Sequence, residues 1–113
     1  MRTSLQLVVD VICPWCFIGK RRLDGALAAV PAGAPPAIAW RPYELDRGMP
    51  PEGADRASYR ARRFGSLERS RAMDARAEPA GQHVDIEFRY DLMTRTPNTF
   101  MARRYCATRR RKA

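Results

Sequence analysis

Residues 5–16 read Leu5-Gln6-Leu7-Val8-Val9-Asp10-Val11-Ile12-Cys13-Pro14-Trp15-Cys16. The first eight positions are apolar and β-branched almost without interruption, the pattern of a strand covered on both faces in an α/β sheet. Beyond them Cys16, Gly19, Leu23, Ala26, Leu27 and Val30 recur at helical spacing, opposite Lys20, Arg21, Arg22 and Asp24. One apolar stripe and one charged face predict an amphipathic helix that begins at the cysteines. Pro31 and Gly33 stop it, and Pro35-Pro36 extends the linker. Ala37-Ile38-Ala39-Trp40-Arg41 then reads as a second strand, closed by Pro42 because proline donates nothing to a ladder. Strand, helix and strand make a βαβ unit.

The remaining sequence is more helical. Glu44 to Gly53, rich in Gly and Pro, reads as a loop into Asp55, the expected N-cap of a helix through Phe64. Ser66 is the expected cap of another helix, whose weak apolar face is Leu67, Met73 and Ala77 and which Pro79 should break. Val84, Ile86 and Phe88 alternate with Asp85, Glu87 and Arg89, as in a strand or extended segment. Thr96-Pro97-Asn98-Thr99 should open a last helix running into a basic end.

The chemistry sits at Cys13-Pro14-Trp15-Cys16. Cys13 falls between a strand and a helix N-terminus, where backbone amides and the helix dipole favour negative charge. A thiolate is such a charge, and the thiolate is the form that attacks disulfides. Cys16, one turn on, is placed to resolve a mixed disulfide. Pro14 suits a first turn that has no use for its missing N–H, and Trp15 would set an aromatic surface beside the sulfur. Asp10, three residues before Cys13, is a candidate to polarise the pair or accept a proton, against the commoner fate of a strand-end acid, which is solvation. The alternatives are an inert cysteine pair or half of a zinc site completed by His83 and Cys106. Those two form no second cluster of ligand spacing, and a C-x-x-C heading a βαβ pattern is a redox context, so no metal and no cofactor is expected. His83, in a polar run, is expected to face water, and Trp40 and Tyr43 to serve as core and rim.

Bulk properties exclude several classes. Of the 21 basic side chains among 113 residues, six lie in 101–113 with no acid. The rest of the chain is nearly balanced, so the net charge of +9 is mostly a property of one end. Nucleic-acid binding by Arg103, Arg104, Arg109, Arg110, Arg111 and Lys112 is the rival class. That end holds one aromatic, Tyr105, and no recognition motif, so nucleic acid is not the expected partner. No apolar run approaches the roughly 20 residues of a membrane span. Met1-Arg2-Thr3-Ser4 leads straight into the strand with no small-residue cleavage site, which points to the cytoplasm.

Asp10-Val11-Ile12-Cys13-Pro14-Trp15-Cys16-Phe17-Ile18-Gly19-Lys20, then Trp40-Arg41-Pro42-Tyr43-Glu44-Leu45, then Asn98-Thr99-Phe100 resemble the FrnE-like branch of the DsbA family. The resemblance implies an α/β thioredoxin-like fold: a βαβ N-terminal half followed by a helical insertion. It implies Cys13 as attacking thiol, Cys16 as resolving thiol, and thiol or disulfide substrates that are proteins or small molecules such as glutathione. The glutathione-dependent 2-hydroxychromene-2-carboxylate isomerases are similar too, but typically carry serine where Cys13 stands. The expected organisation is a thioredoxin domain over 1–100, with insertion sequence from about residue 54, and a disordered basic tail over 101–113. Family members continue Asn-Thr into an Ala-His-Arg-Leu helix, whereas Ala102 is followed here by Arg103. The C-terminal half of the fold, with its cis-proline loop, is expected to be missing, the tail to come from a shifted reading frame, and exposed strand edges to recruit a second copy.

Overall fold

The computed structural model describes residues 3–31, 33 and 36–105. The chain divides into two compact units, residues 1–45 with 99–113, and residues 46–98.

In the first unit, β1 (Ser4–Val9), α1 (Pro14–Ala28) and β2 (Ala37–Pro42) form the βαβ unit expected of an α/β chain. β1 and β2 pair in parallel, from Ser4 opposite Ala37 to Val9 opposite Pro42. β1 ends at Val9 and not at Ile12, because the chain turns so that the Cys13 N–H donates to the Asp10 carbonyl at 3.1 Å. Pro42 belongs to β2 and does not close it: the next ladder bond is donated by Tyr43 N–H to the Val9 carbonyl at 2.7 Å, so proline's missing donor falls where none is required.

Two expectations about packing are corrected. β1 is not covered on both faces; exposed and half-buried residues alternate along it, and Val8 is 61% exposed. With only β2 beside it among the described residues, the strand has one sheltered face. In α1 the expected stripe is half right. Cys16, Leu23 and Leu27 are half-buried, Gly19, Ala26 and Val30 are exposed, and the one fully buried side chain is Ile18. Ile18 stands five residues into α1, so the buried part of that helix lies near its start. The charged face is exposed as expected, with a Lys20–Asp24 ion pair at 2.6 Å.

The second unit contains β3 (Ala54–Asp55), α2 (Arg56–Phe64), α3 (Leu67–Gln82), a 3-10 turn (Tyr90–Leu92) and β4 (Arg95–Thr96). Both expected caps form: Asp55 accepts from Ser58 N–H at 2.9 Å, and Ser66 Oγ accepts from Arg69 N–H at 3.1 Å. Pro79 does not break α3, which runs one turn further. A proline three residues from a helix end removes a single i→i−4 bond, and its own carbonyl still accepts from His83 N–H at 3.2 Å. The buried face of α3 is Ser70, Ala77 and Gly81, with Leu67 exposed. Val84–Phe88 forms no strand: Val84 and Asp85 lie in a turn, with Asp85 at φ +60°, and Val84 N–H and Ile86 N–H both donate to the Gly81 carbonyl at 2.9 Å. The alternation is real, since Ile86 and Phe88 are buried and join Met49 and Ala77 in the core of this unit. Gly81 permits that packing, because a Cβ there would stand 2.6 Å from the Phe88 ring.

The short β3–β4 pair is antiparallel and absent from any local sequence signal. It depends on Gly53, whose φ of +79° suits glycine and where a Cβ would meet the Thr96 carbonyl at 2.5 Å. Asp74 on α3 accepts both Arg56 nitrogens at 3.0 Å and Arg60 Nη2 at 3.0 Å, tying α2 to α3. Arg56 also lies over the Tyr90 ring.

The last described helix, α4, occupies residues 100–105, as Thr96–Thr99 led one to expect, so the first five positions of the basic end are helical. Cys106, Arg109, Arg110, Arg111 and Lys112, on which the disordered tail and the nucleic-acid rival depend, lie outside the described residues, as do Ala32, Ala34 and Pro35 of the linker. Among the described residues no helix is long and apolar enough to cross a membrane.

Candidate redox site

Cys13 is the N-cap of α1, with extended backbone (φ −91°, ψ 110°), and Pro14 holds the first helical position. The arrangement follows from local chemistry: proline forfeits an N–H that no helical carbonyl would have accepted, and its fixed φ starts the helix. The Cys13 carbonyl accepts from Cys16 N–H at 3.1 Å, which closes the first turn and brings the second cysteine back over the first. The Cys13 side chain makes no capping hydrogen bond to the helix, and no acid occupies the first turn to oppose a thiolate there.

Both cysteines are half-buried and unbonded as a disulfide. The Cys16 thiol is pushed above the ordinary thiol value chiefly by burial; a backbone hydrogen bond at Asp10 offsets part of that, and the nearby Cys13 thiol and Asp10 charge add to the rise. Trp15, between the cysteines, is 45% exposed, and Phe17 is exposed with the Arg21 guanidinium over its ring.

Asp10 is where the structure departs most from the sequence reading. The solvated fate does not hold, because the side chain is only 5% exposed. Its Oδ2 accepts from Leu45 N–H at 2.7 Å and from Thr99 Oγ1 at 3.3 Å, and its Oδ1 accepts from Ile12 N–H at 3.3 Å. The carboxylate is thus enclosed by the strand end, by the segment following β2 and by the head of α4. Asp10, Pro14, Trp15 and the two cysteines therefore gather in one place. Thr99, 4% exposed, is a member of the site that sequence reasoning did not single out; its only signal was the Asn98-Thr99 motif.

His83 is exposed at the end of α3, in the second unit, as expected, and takes no part. Trp40 is half-buried and Tyr43 exposed, in keeping with core and rim. Among the described residues no group of three or more His, Cys, Asp or Glu side chains could hold a metal ion.

The sequence pattern of the DSBA-like thioredoxin domain matches residues 4–112. The fold is similar to the crystal structure of a probable DsbA oxidoreductase from Streptomyces coelicolor, with a TM-score of 0.79 and 24% identity over 95% of this chain. The chain spans 46% of the length of that protein. No curated protein sequence matches it.

Proposed function

The chain belongs to the DSBA-like thioredoxin family, and from that premise we propose that it is a thiol–disulfide oxidoreductase of the FrnE-like type, exchanging disulfides through Cys13 and Cys16. The observation that carries the reading is the pair itself: two cysteine thiols at the head of α1, not joined in a disulfide, with the buried Asp10 carboxylate at the end of the preceding strand. The Asp10–Lys20 and Trp40–Leu45 motifs, and a helical unit set between the two stretches of the first unit, support the FrnE-like assignment.

In the reaction the Cys13 thiolate attacks one sulfur of a substrate disulfide; a Cys13–substrate bond forms as the substrate S–S bond breaks, and the other half leaves as a thiolate. Cys16 then loses its proton to the Asp10 carboxylate and attacks Cys13 Sγ. The Cys13–Cys16 disulfide forms, the mixed disulfide breaks, and the second substrate thiolate departs and takes up a proton. The substrate gains two electrons and the dithiol loses two; the reverse sequence oxidises a substrate dithiol. Keeping Cys16 protonated until that second step lets Cys13 act first, and burial of Cys16 has this effect. The exposed Trp15 and Phe17 offer an apolar landing surface for a protein or peptide substrate, and glutathione fits the same chemistry.

Iodoacetamide labelling across a pH series, resolved by peptide mass, tests the order of events. Cys13 should be alkylated about tenfold faster than Cys16 at neutral pH, because the Cys16 thiol is raised above the ordinary value and so holds less thiolate. Equal rates at the two thiols would remove the argument.

A further inference from the structure

We infer that Thr99 is a positioning residue of the redox pair, its hydroxyl holding the Asp10 carboxylate in the orientation that takes the proton from Cys16. The inference rests on the resolving role proposed for Cys16 and Asp10.

Thr99 and Asp10 are 89 residues apart in sequence, yet the hydroxyl donates to Oδ2 at 3.3 Å, with both side chains at least nine-tenths buried. A carboxylate at the end of a strand needs donors to be kept out of water. Asp10 has three, and two of them, Ile12 and Leu45 N–H, are main-chain groups that no side-chain substitution removes. Among the described residues Thr99 is the one donor under side-chain control. It also stands at the head of α4, its carbonyl accepting from Arg103 N–H at 2.9 Å. A threonine at a helix start ordinarily uses its oxygen as an acceptor for first-turn amides, which leaves the hydroxyl proton available, since a hydroxyl carries one donor beside two acceptor sites. Here that proton is directed at the carboxylate. The chain thus returns from residues 46–98 directly onto the redox site, and the first residue of the returning stretch is the one that steadies the base.

Reaction with 5,5′-dithiobis(2-nitrobenzoate) separates the two steps. In a Cys106→Ser background, the first thionitrobenzoate is released when Cys13 attacks and the second when Cys16 resolves. Thr99→Val should leave the first phase within about twofold and slow the second about tenfold, the loss expected of one orienting hydrogen bond. Thr99→Ser should restore it. Asp10→Asn, run in parallel, should slow the second phase by about a hundredfold, as for loss of a general base. If valine is not accommodated and the variant fails to fold, Thr99→Ala makes the same comparison. A second phase unchanged by removal of the hydroxyl, or both phases slowed in parallel and not rescued by serine, would overturn the role of Thr99 while the Asp10 result stands. If Asp10→Asn also leaves the second phase unchanged, or the wild-type chain releases no second equivalent, the resolving mechanism falls as well.

Discussion

A carboxylate at the end of a strand is ordinarily bathed in water, and Asp10 escapes that fate only because Leu45, Thr99 and Ile12 supply donors around it. Cys16 is half-buried, and burial is the main cause that raises its thiol pKa. A thiol whose folded pKa lies above its unfolded value stabilises the fold fully below the unfolded value and loses that contribution as pH rises through the folded one. Stability of the reduced chain should therefore fall as pH climbs past the ordinary thiol range, and Cys16→Ser, which has no thiolate to form, should flatten that decline; urea titrations from pH 7 to 10 read it directly. The same variant should arrest exchange at the mixed disulfide, so that incubation with glutathione disulfide leaves a glutathione adduct on Cys13, visible by intact mass. An adduct that clears as fast as in the wild-type chain would show that Cys16 is not the resolving thiol.

At the scale of elements, the second unit is held by side chains that join helices, and the cost of removing them can be ranked. Asp74 pairs with Arg56 and Arg60, all three side chains being about 15% exposed. Asp74→Ala leaves two enclosed guanidinium groups without their carboxylate and should cost about 2–4 kcal/mol, measured by denaturant unfolding. Ser66→Ala removes only the cap of α3 and should cost about 1 kcal/mol. Gly81→Ala forces a methyl group toward the Phe88 ring and should cost about 1–3 kcal/mol, because a packed core accepts extra volume poorly. A loss from Ser66→Ala larger than that from Asp74→Ala would mean that capping, and not the α2–α3 ion pairs, dominates this unit. Asp55 adds a pH arm. Its carboxylate is held below the usual range by Ser58 N–H, so the cap on α2 is present above the ordinary aspartate value and is lost as pH falls through the lowered one.

For the whole molecule, the balance between covered and uncovered apolar surface is the governing fact. Among the described residues of the first unit Val8, Val11, Trp15, Phe17, Ile38, Tyr43, Leu45, Phe100 and Met101 are exposed, while one hydrophobic side chain is fully buried. A two-stranded parallel sheet also leaves an outer edge on each strand, and such edges pair with other chains unless they are covered. The chain on its own should therefore self-associate, with sedimentation velocity showing mass that rises with concentration across the micromolar range. A single monomeric species throughout that range would count against it. Association at these edges need not involve the redox pair, so alkylation of Cys13 should proceed in the associated form.

What the sequence determined by itself was everything set by neighbours a few positions apart. Cys13-Pro14 marked the start of α1, Asp55 and Ser66 marked two caps, and the apolar periods marked the βαβ unit, because capping, proline geometry and periodicity act within one or two turns. What only the tertiary structure decided was what distant segments do to one another. Ile18 became the core of α1 in place of part of the expected stripe, β3 found β4 some 40 residues away, and Asp10 was buried by Leu45 and Thr99, 35 and 89 residues distant. Each of these depends on closing a long loop, whose favourable contacts exist only once the whole unit has formed, so no local pattern encodes them. The two cysteines are thus written in four consecutive residues, whereas the Asp10 carboxylate is enclosed only when the chain comes back to bring Leu45 and Thr99 against it.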